Sequence, residues 1–188
     1  MPRPRSEDKR AAIMSAATRV VAAEGLGAAT ATIAREAGVS NGSLFTYFDT
    51  KADLLNQLYL ELKTEMGTAA LGGLPADGDV REQILRMWSR WLRWATAYPE
   101  KRRALAQLEV SDEITSVTHQ AGSRAMTGVA ELLERSRENG PMRDAPLAFV
   151  VALANALAEA TIDFIINDPD NADAHGRTGF DAFWRMIA

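Results

Sequence analysis

The chain has no cysteine and only two histidines, His119 and His175. Without cysteine there is no disulfide, no thiolate nucleophile and no cysteine-ligated zinc, and two histidines argue against a histidine-based metal site. No Gly-rich phosphate loop, no nucleophile set beside a base and no metal-ligand spacing occurs, so the expectation is a protein that is not an enzyme and needs no cofactor or metal. The first residues, Met-Pro-Arg-Pro-Arg, are not followed by an apolar segment of the secretory kind. The most apolar stretch, residues 149–166, is interrupted by Asn155, Glu159 and Asp163, which argues against a membrane span. A soluble, cytoplasmic protein is expected. Strand-type alternation of useful length and internal repeats are also absent.

What remains is helix. Of 188 residues 47% are hydrophobic, enough for a sizeable core. The periodicity predicts an all-α chain with helices over about 51–71, 80–98, 100–110, 112–139, 146–167 and 178–188, with a clear break at residues 72–78. Charge is unevenly divided: residues 1–51 carry a net +2 and the rest −6, for a total of −4. A mildly basic head on an acidic body suits a protein that touches phosphate at one end. Two charges per chain is little, so dimerisation and helix N-termini must supply much of that attraction.

The head contains the most informative segment. Ile13, Ala16, Ala17, Val20 and Val21 form a helical stripe that ends at Gly25, and a second short helix ends at Gly38. Ser40 can cap a third running to about Phe48, and Thr50 with Asp53 can form a capping box for a fourth. Two short helices joined by a Gly-containing turn make a helix-turn-helix, which lays its second helix in the DNA major groove. On that second helix Leu44 and Phe48, at i and i+4, are the anchors. Asn41, Ser43, Phe45, Thr46 and Tyr47 point elsewhere, offering more chemistry than packing requires.

Residues 33–55, Ile-Ala-Arg-Glu-Ala-Gly-Val-Ser-Asn-Gly-Ser-Leu-Phe-Thr-Tyr-Phe-Asp-Thr-Lys-Ala-Asp-Leu-Leu, resemble the DNA-binding domain of the tetracycline-repressor (TetR) family. The resemblance covers roughly the first third of the chain. It implies a helix-turn-helix domain at residues 1–50 and a helical effector-binding and dimerisation domain at 51–188. It further implies contact with double-stranded DNA, at a palindromic operator, through Thr32, Ser40, Asn41, Gly42, Ser43, Phe45, Thr46, Tyr47 and Lys51. Asn41 suits an adenine edge, and Ser43 suits a base or a phosphate. Gly42 costs helix stability unless a backbone must approach closely. Phe45 stands where the family usually has Tyr and can meet a thymine methyl. Tyr47 and Lys51 match phosphate-binding positions, which orient without reading sequence. Where the family commonly has a Thr or Ser cap, this chain has Ala28 and Ala29, with Thr30 and Thr32 as substitutes. Arg3, Arg5, Lys9 and Arg10 form either a minor-groove arm or a solubilising tail.

The body speaks more softly. Ile84, Trp88, Trp91, Leu92 and Ala95 share a helix face, with Met87 and Trp94 on its flank and Arg86, Arg90 and Arg93 opposite. That aromatic face either lines a cavity for a small hydrophobic or aromatic effector or simply fills the core. Trp88, Trp91, Met126, Asn155 and Glu159 are the candidate effector contacts. The polar stripe Asn155, Glu159, Asp163 faces either a pocket or water. Residues 146–167 are apolar nearly all round, which predicts burial on more than one side. Phe180, Phe183, Trp184 and Ile187 give the last helix an aromatic face that must dock on something. The family resemblance implies a four-helix homodimer interface here, with Phe149, Leu153, Leu157, Phe180, Phe183 and Trp184 as candidates. The function this supports is a DNA-binding transcriptional regulator, a homodimeric repressor released by a small molecule. The alternative is a regulator without an effector, controlled by a protein partner or by abundance.

Overall fold

The computed structural model describes residues 5–74 and 78–188, and among these the secondary structure is helical with no strand. The first four residues, Arg3 among them, and residues 75–77 within the break at 72–78 lie outside the described residues. The chain divides into two compact units. One holds residues up to 64 together with 98–124, and the other holds 65–97 together with 125–188.

The first unit contains α1 (Arg5–Glu24), α2 (Thr30–Glu36), α3 (Asn41–Leu44), the first part of α4 (Lys51–Leu71), α6 (Pro99–Glu109) and nearly all of α7 (Ser116–Ala125). The α1 stripe predicted from periodicity is part of its core: Ile13, Ala16, Ala17, Val20 and Val21 are buried, as are Ile33, Leu44, Phe48, Leu55 and Leu108. Arg10 is not part of a free arm. It donates to Gln57 Oε1 at 2.8 Å, pairs with Glu61 at 3.5 Å and sits over the Phe48 ring at 5.6 Å. Tyr59 of α4 is buried, its hydroxyl 3.3 Å from Glu109 Oε1 and 3.2 Å from His119 Nδ1. Burial first, and then the Glu109 carboxylate, pushes this phenol far above the usual tyrosine range, so it stays a neutral donor. Gly122 is required beside it, because a Cβ there would come within 2.7 Å of the Tyr59 ring.

The second unit is built on α5 (Val80–Ala97), with α8 (Thr127–Arg137), α9 (Leu147–Asn167), α10 (Ala172–Ile187) and the rest of α4. Trp88 stacks on Phe183 with ring centroids 5.2 Å apart and donates its indole N–H to the Gly176 carbonyl at 3.2 Å. Trp94 is buried too and donates to Glu65 at 3.0 Å. Arg137, an unexpected buried charge, donates to the carbonyls of Met142, Arg143 and Ala145 at 2.6, 3.0 and 2.6 Å and to Glu134. One guanidinium thereby satisfies the turn that follows α8.

Three expectations from periodicity are corrected. The single helix predicted over 112–139 is two, starting at Ser116 and broken at Met126. Ser111 accepts from the Glu113 N–H and closes only a turn, while Thr115 caps α7 by accepting from Thr118. The break lies where Ala125's carbonyl and Met126's sulfur meet Gly67, leaving 2.9–3.0 Å for any Cβ there. The last helix begins at Ala172, not near Thr178. Asp168 launches it, accepting from Asn171 and pairing with His175 at 2.9 Å, and these partners hold its carboxyl below the usual range. Helix α9 is buried on one face only, through Val150, Ala154, Ala158, Thr161 and Ile162. Phe149, Phe164 and Ile166 are 53%, 63% and 46% exposed. By length and composition α9 is apolar enough to cross a membrane, despite its two carboxylates.

Helices α9 and α10 approach closely because Gly179 has no side chain; a Cβ there would overlap Thr161. Gly179→Ala should therefore lower unfolding free energy by about 1–3 kcal/mol. Gly176→Ala, whose Cβ would meet Leu92 at an ordinary 3.7 Å, should cost nothing. Urea unfolding midpoints of the two variants check this.

Candidate DNA-binding site

Helix α2 ends in a Schellman closure. The Gly38 N–H donates to Arg35 O at 3.1 Å and the Val39 N–H to Ala34 O at 2.9 Å. This closure needs Gly38 at φ +69°, a conformation that costs an L side chain about 1 kcal/mol. Ser40 then opens α3, its Oγ accepting from the Ser43 N–H at 3.1 Å. At the N-terminus of α2 the cap is Ala29, which makes no side-chain bond.

The predicted helix from Ser40 to Phe48 is shorter than expected. It is α-helical over Asn41–Leu44 and then tightens, with Thr46 N–H donating to Ser43 O and Tyr47 N–H to Leu44 O. These i to i+3 bonds belong to a 3₁₀ turn. Leu44 and Phe48 are the anchors, 0% and 1% exposed. The remaining positions are turned outward. Ser40, Asn41, Gly42, Phe45 and Thr46 are exposed, and Thr32, Ser43, Tyr47 and Lys51 are half-buried. Phe45, an aromatic ring 41% exposed, has no place in the core.

Gly42 has no reason to be glycine within the chain. Its φ is not positive, and a Cβ built on it would meet nothing within 4 Å. The segment beyond is held by Asp53, whose N–H donates to Thr50 Oγ1 at 3.0 Å. Its carboxylate accepts from the Asp49 N–H at 3.1 Å and from Gln57 at 2.9 Å. That is the predicted capping box with its return bond displaced by one residue. Lys51 is the first residue of α4.

The other candidate residues do not converge. Trp88 lies in the core, Trp91 is half-buried with its ring edge-on to Trp88 at 6.1 Å, and Met126 is half-buried at the α7–α8 break. Asn155, Glu159 and Asp163 all face outward. Of the candidate interface residues, Phe180 and Phe183 are buried within the chain, whereas Phe149 is exposed and Leu153, Leu157 and Trp184 are half-buried. The second unit also has an open groove of about 560 Å³, which periodicity could not reveal because three helices form it. Leu85 and Leu92 of α5, Ile165 of α9 and Gly176 of α10 contribute apolar lining, with Arg93 and Arg177 also bordering it.

Residues 13–58, which include this whole constellation, match the family model described as bacterial regulatory proteins, tetR family. Over 96% of its length the chain is similar to a protein described as a TetR-family transcription regulator from Shewanella sp. PV-4, with 28% identity and a TM-score of 0.84, covering 98% of that chain. A TetR-family regulator from Marinobacter aquaeolei VT8 shares its fold at a TM-score of 0.88 and 22% identity, with 98% of this chain and 97% of that one covered. The transcriptional regulator FadR from Bacillus subtilis, solved in complex with stearoyl-CoA, also shares the fold, at a TM-score of 0.71 and 16% identity over 95% of this chain and 100% of that one. Residues 13–58 are thus similar to the helix-turn-helix domain of the bacterial tetR regulatory proteins, and the chain shares the fold of TetR-family transcription regulators along nearly its whole length.

Proposed function

We propose that the protein is a homodimeric repressor that binds a palindromic operator and is released from it by a small apolar effector. The observation that carries DNA binding is the division of labour around α3. Two residues, Leu44 and Phe48, hold it, and the outward set of Asn41, Gly42, Ser43, Phe45 and Thr46 is left for a partner. In this reading Asn41 and Phe45 contact bases, Ser40 and Ser43 a base or phosphate, and Thr32, Tyr47 and Lys51 phosphates. Gly42 lets the backbone come close.

Dimerisation is supported by α9. Phe149, Ala152, Ala156, Ala160 and Phe164 lie exposed along one side of it, two rings separated by small residues. A second copy packed antiparallel about the middle of this row would set Phe149 beside the second copy's Phe164 and alanines against alanines, an isologous arrangement. Leu153, Leu157 and Trp184 would border this contact, while Phe180 and Phe183 support it from inside. Effector binding is supported by the stearoyl-CoA complex of the Bacillus subtilis FadR, which shares the fold, and by the open groove of the second unit with its mixed apolar and charged lining. The effector would favour a body conformation in which α4 carries the two α3 helices out of groove spacing. Such a protein works by binding alone, in the cytoplasm.

Selection of bound sequences from a random duplex pool, with light scattering on the same sample, tests the proposal. An inverted repeat enriched by a dimer is the expected result; well-folded protein that enriches nothing overturns it. Lys51→Ala should weaken binding to every sequence and reduce the slope of log affinity against log salt by about one. Asn41→Ala should cost about 1–3 kcal/mol at one base pair and relax preference there. Identical behaviour of the two across a mismatch series would show the roles to be misassigned. Gly42→Ala should raise stability by about 0.5 kcal/mol and yet weaken operator binding, read by thermal melting and titration. Ala156→Glu should give a folded monomer in light scattering, because the position is exposed in the single chain.

A further inference from the structure

We infer that the half-site read by α3 is built on adenine and thymine, with Asn41 bonded to an adenine edge and the Phe45 ring set against a thymine C5-methyl. The inference rests on the DNA binding proposed above and names the sequence class of that same surface.

The argument begins with what the reading segment cannot do. Guanine is most often read by Arg or Lys donating to its O6 and N7, and cytosine by a carboxylate accepting from its amino group. Residues 40–48 contain no Lys, Arg, Asp or Glu. Two cations of α1 are already engaged within the chain. Arg10 is engaged with Gln57, Glu61 and the Phe48 ring, and Arg19 is held by Glu36 at 2.9 Å and by Ser15. Lys51 comes only after the turn, at the start of α4. The nearest carboxylate in sequence, Asp49, follows the buried anchor Phe48.

What the segment does present is specific. Asn41 is exposed at the first position of α3, and an amide matches the N7 acceptor and N6 donor of adenine as a pair. Phe45 has no hydrogen-bonding group, so it can select only through apolar contact. Among the four bases the thymine methyl is the one apolar group displayed in the major groove. A ring left 41% exposed gains most where it meets that methyl. Asn41 and Phe45 are four residues apart, and the Phe45 N–H donates to Asn41 O at 3.4 Å, so their side chains start from successive turns of one face. Ser43 between them accepts or donates and adds no preference against A·T.

The test uses the full-length protein and its selected operator, resynthesised with single atoms removed. Uracil in place of one thymine deletes only the methyl; 7-deazaadenine in place of one adenine deletes only the N7 acceptor. At one thymine per half-site, uracil should lower affinity about three- to five-fold. That loss should vanish in Phe45→Ala and persist in Phe45→Tyr. At one adenine, 7-deazaadenine should lower affinity about ten-fold, an effect absent in Asn41→Ala. Half-sites centred on G·C pairs, or thymines replaceable by uracil everywhere without loss, overturn the inference and leave DNA binding standing. A folded dimer that enriches no sequence overturns the underlying proposal as well.

Discussion

A helix of four residues cannot hold itself together, and that constraint organises the first unit. Isolated helices several times longer are marginal in water, so α3 exists only because its surroundings impose it. Gly38 closes α2 with both Schellman bonds, Ser40 satisfies an amide of α3, and Leu44 and Phe48 sink into the core of α1 and α4. Arg10 covers the Phe48 ring and reaches Gln57, which in turn bonds Asp53, the partner of Thr50 in the capping box of α4. The consequence for function is economy of anchoring. With two side chains and a set of backbone bonds fixing the segment, its other residues are released from structural duty.

The second unit solves a different problem, how to pack amphipathic helices and the apolar α9 closely around α5. Trp88 does so by filling volume, stacking on Phe183 and bonding the Gly176 carbonyl. Glycine does so by removing volume, at Gly179 against Thr161 and at Gly67 against the α7–α8 break. Arg137 closes the turn after α8 with three carbonyls, leaving none of them to water. Helix α9 is the exception, since its inner face is packed and its outer face keeps Phe149 and Phe164 exposed. A surface of that kind is seldom left bare in water, which is why a second copy of the chain is the partner proposed for it.

Most of the candidate DNA-binding site was legible because its determinants are local. Caps, a positive-φ glycine and an i, i+4 anchor pair all act within a few residues, and Gly38, Ser40, Leu44 and Phe48 took the roles that their chemistry predicts. The shortened α3 was less legible, because the sequence from Phe45 to Tyr47 is compatible with an α or a 3₁₀ turn. The start of α10 was obscured by Gly176 and Gly179, which lower helix propensity, although Gly179 is needed for packing against α9. Arg10 read as part of a minor-groove arm or a solubilising tail because its partners, Gln57 and Glu61, lie far along the chain.

By itself, then, the sequence determined the helical character, the turn chemistry of residues 38–53 and the identity of the two anchors under α3. These follow from short-range sterics and hydrogen bonding. Only the tertiary structure decided which apolar faces are consumed. Periodicity marks α5, α9 and α10 alike as apolar, yet Trp88, Phe180 and Phe183 are spent inside the chain while Phe149 and Phe164 are not. The groove bordered by Arg93 and Arg177 belongs to the same class of fact. A helix's pattern records that one of its faces avoids water, but which neighbour covers that face depends on contacts between residues far apart in the chain.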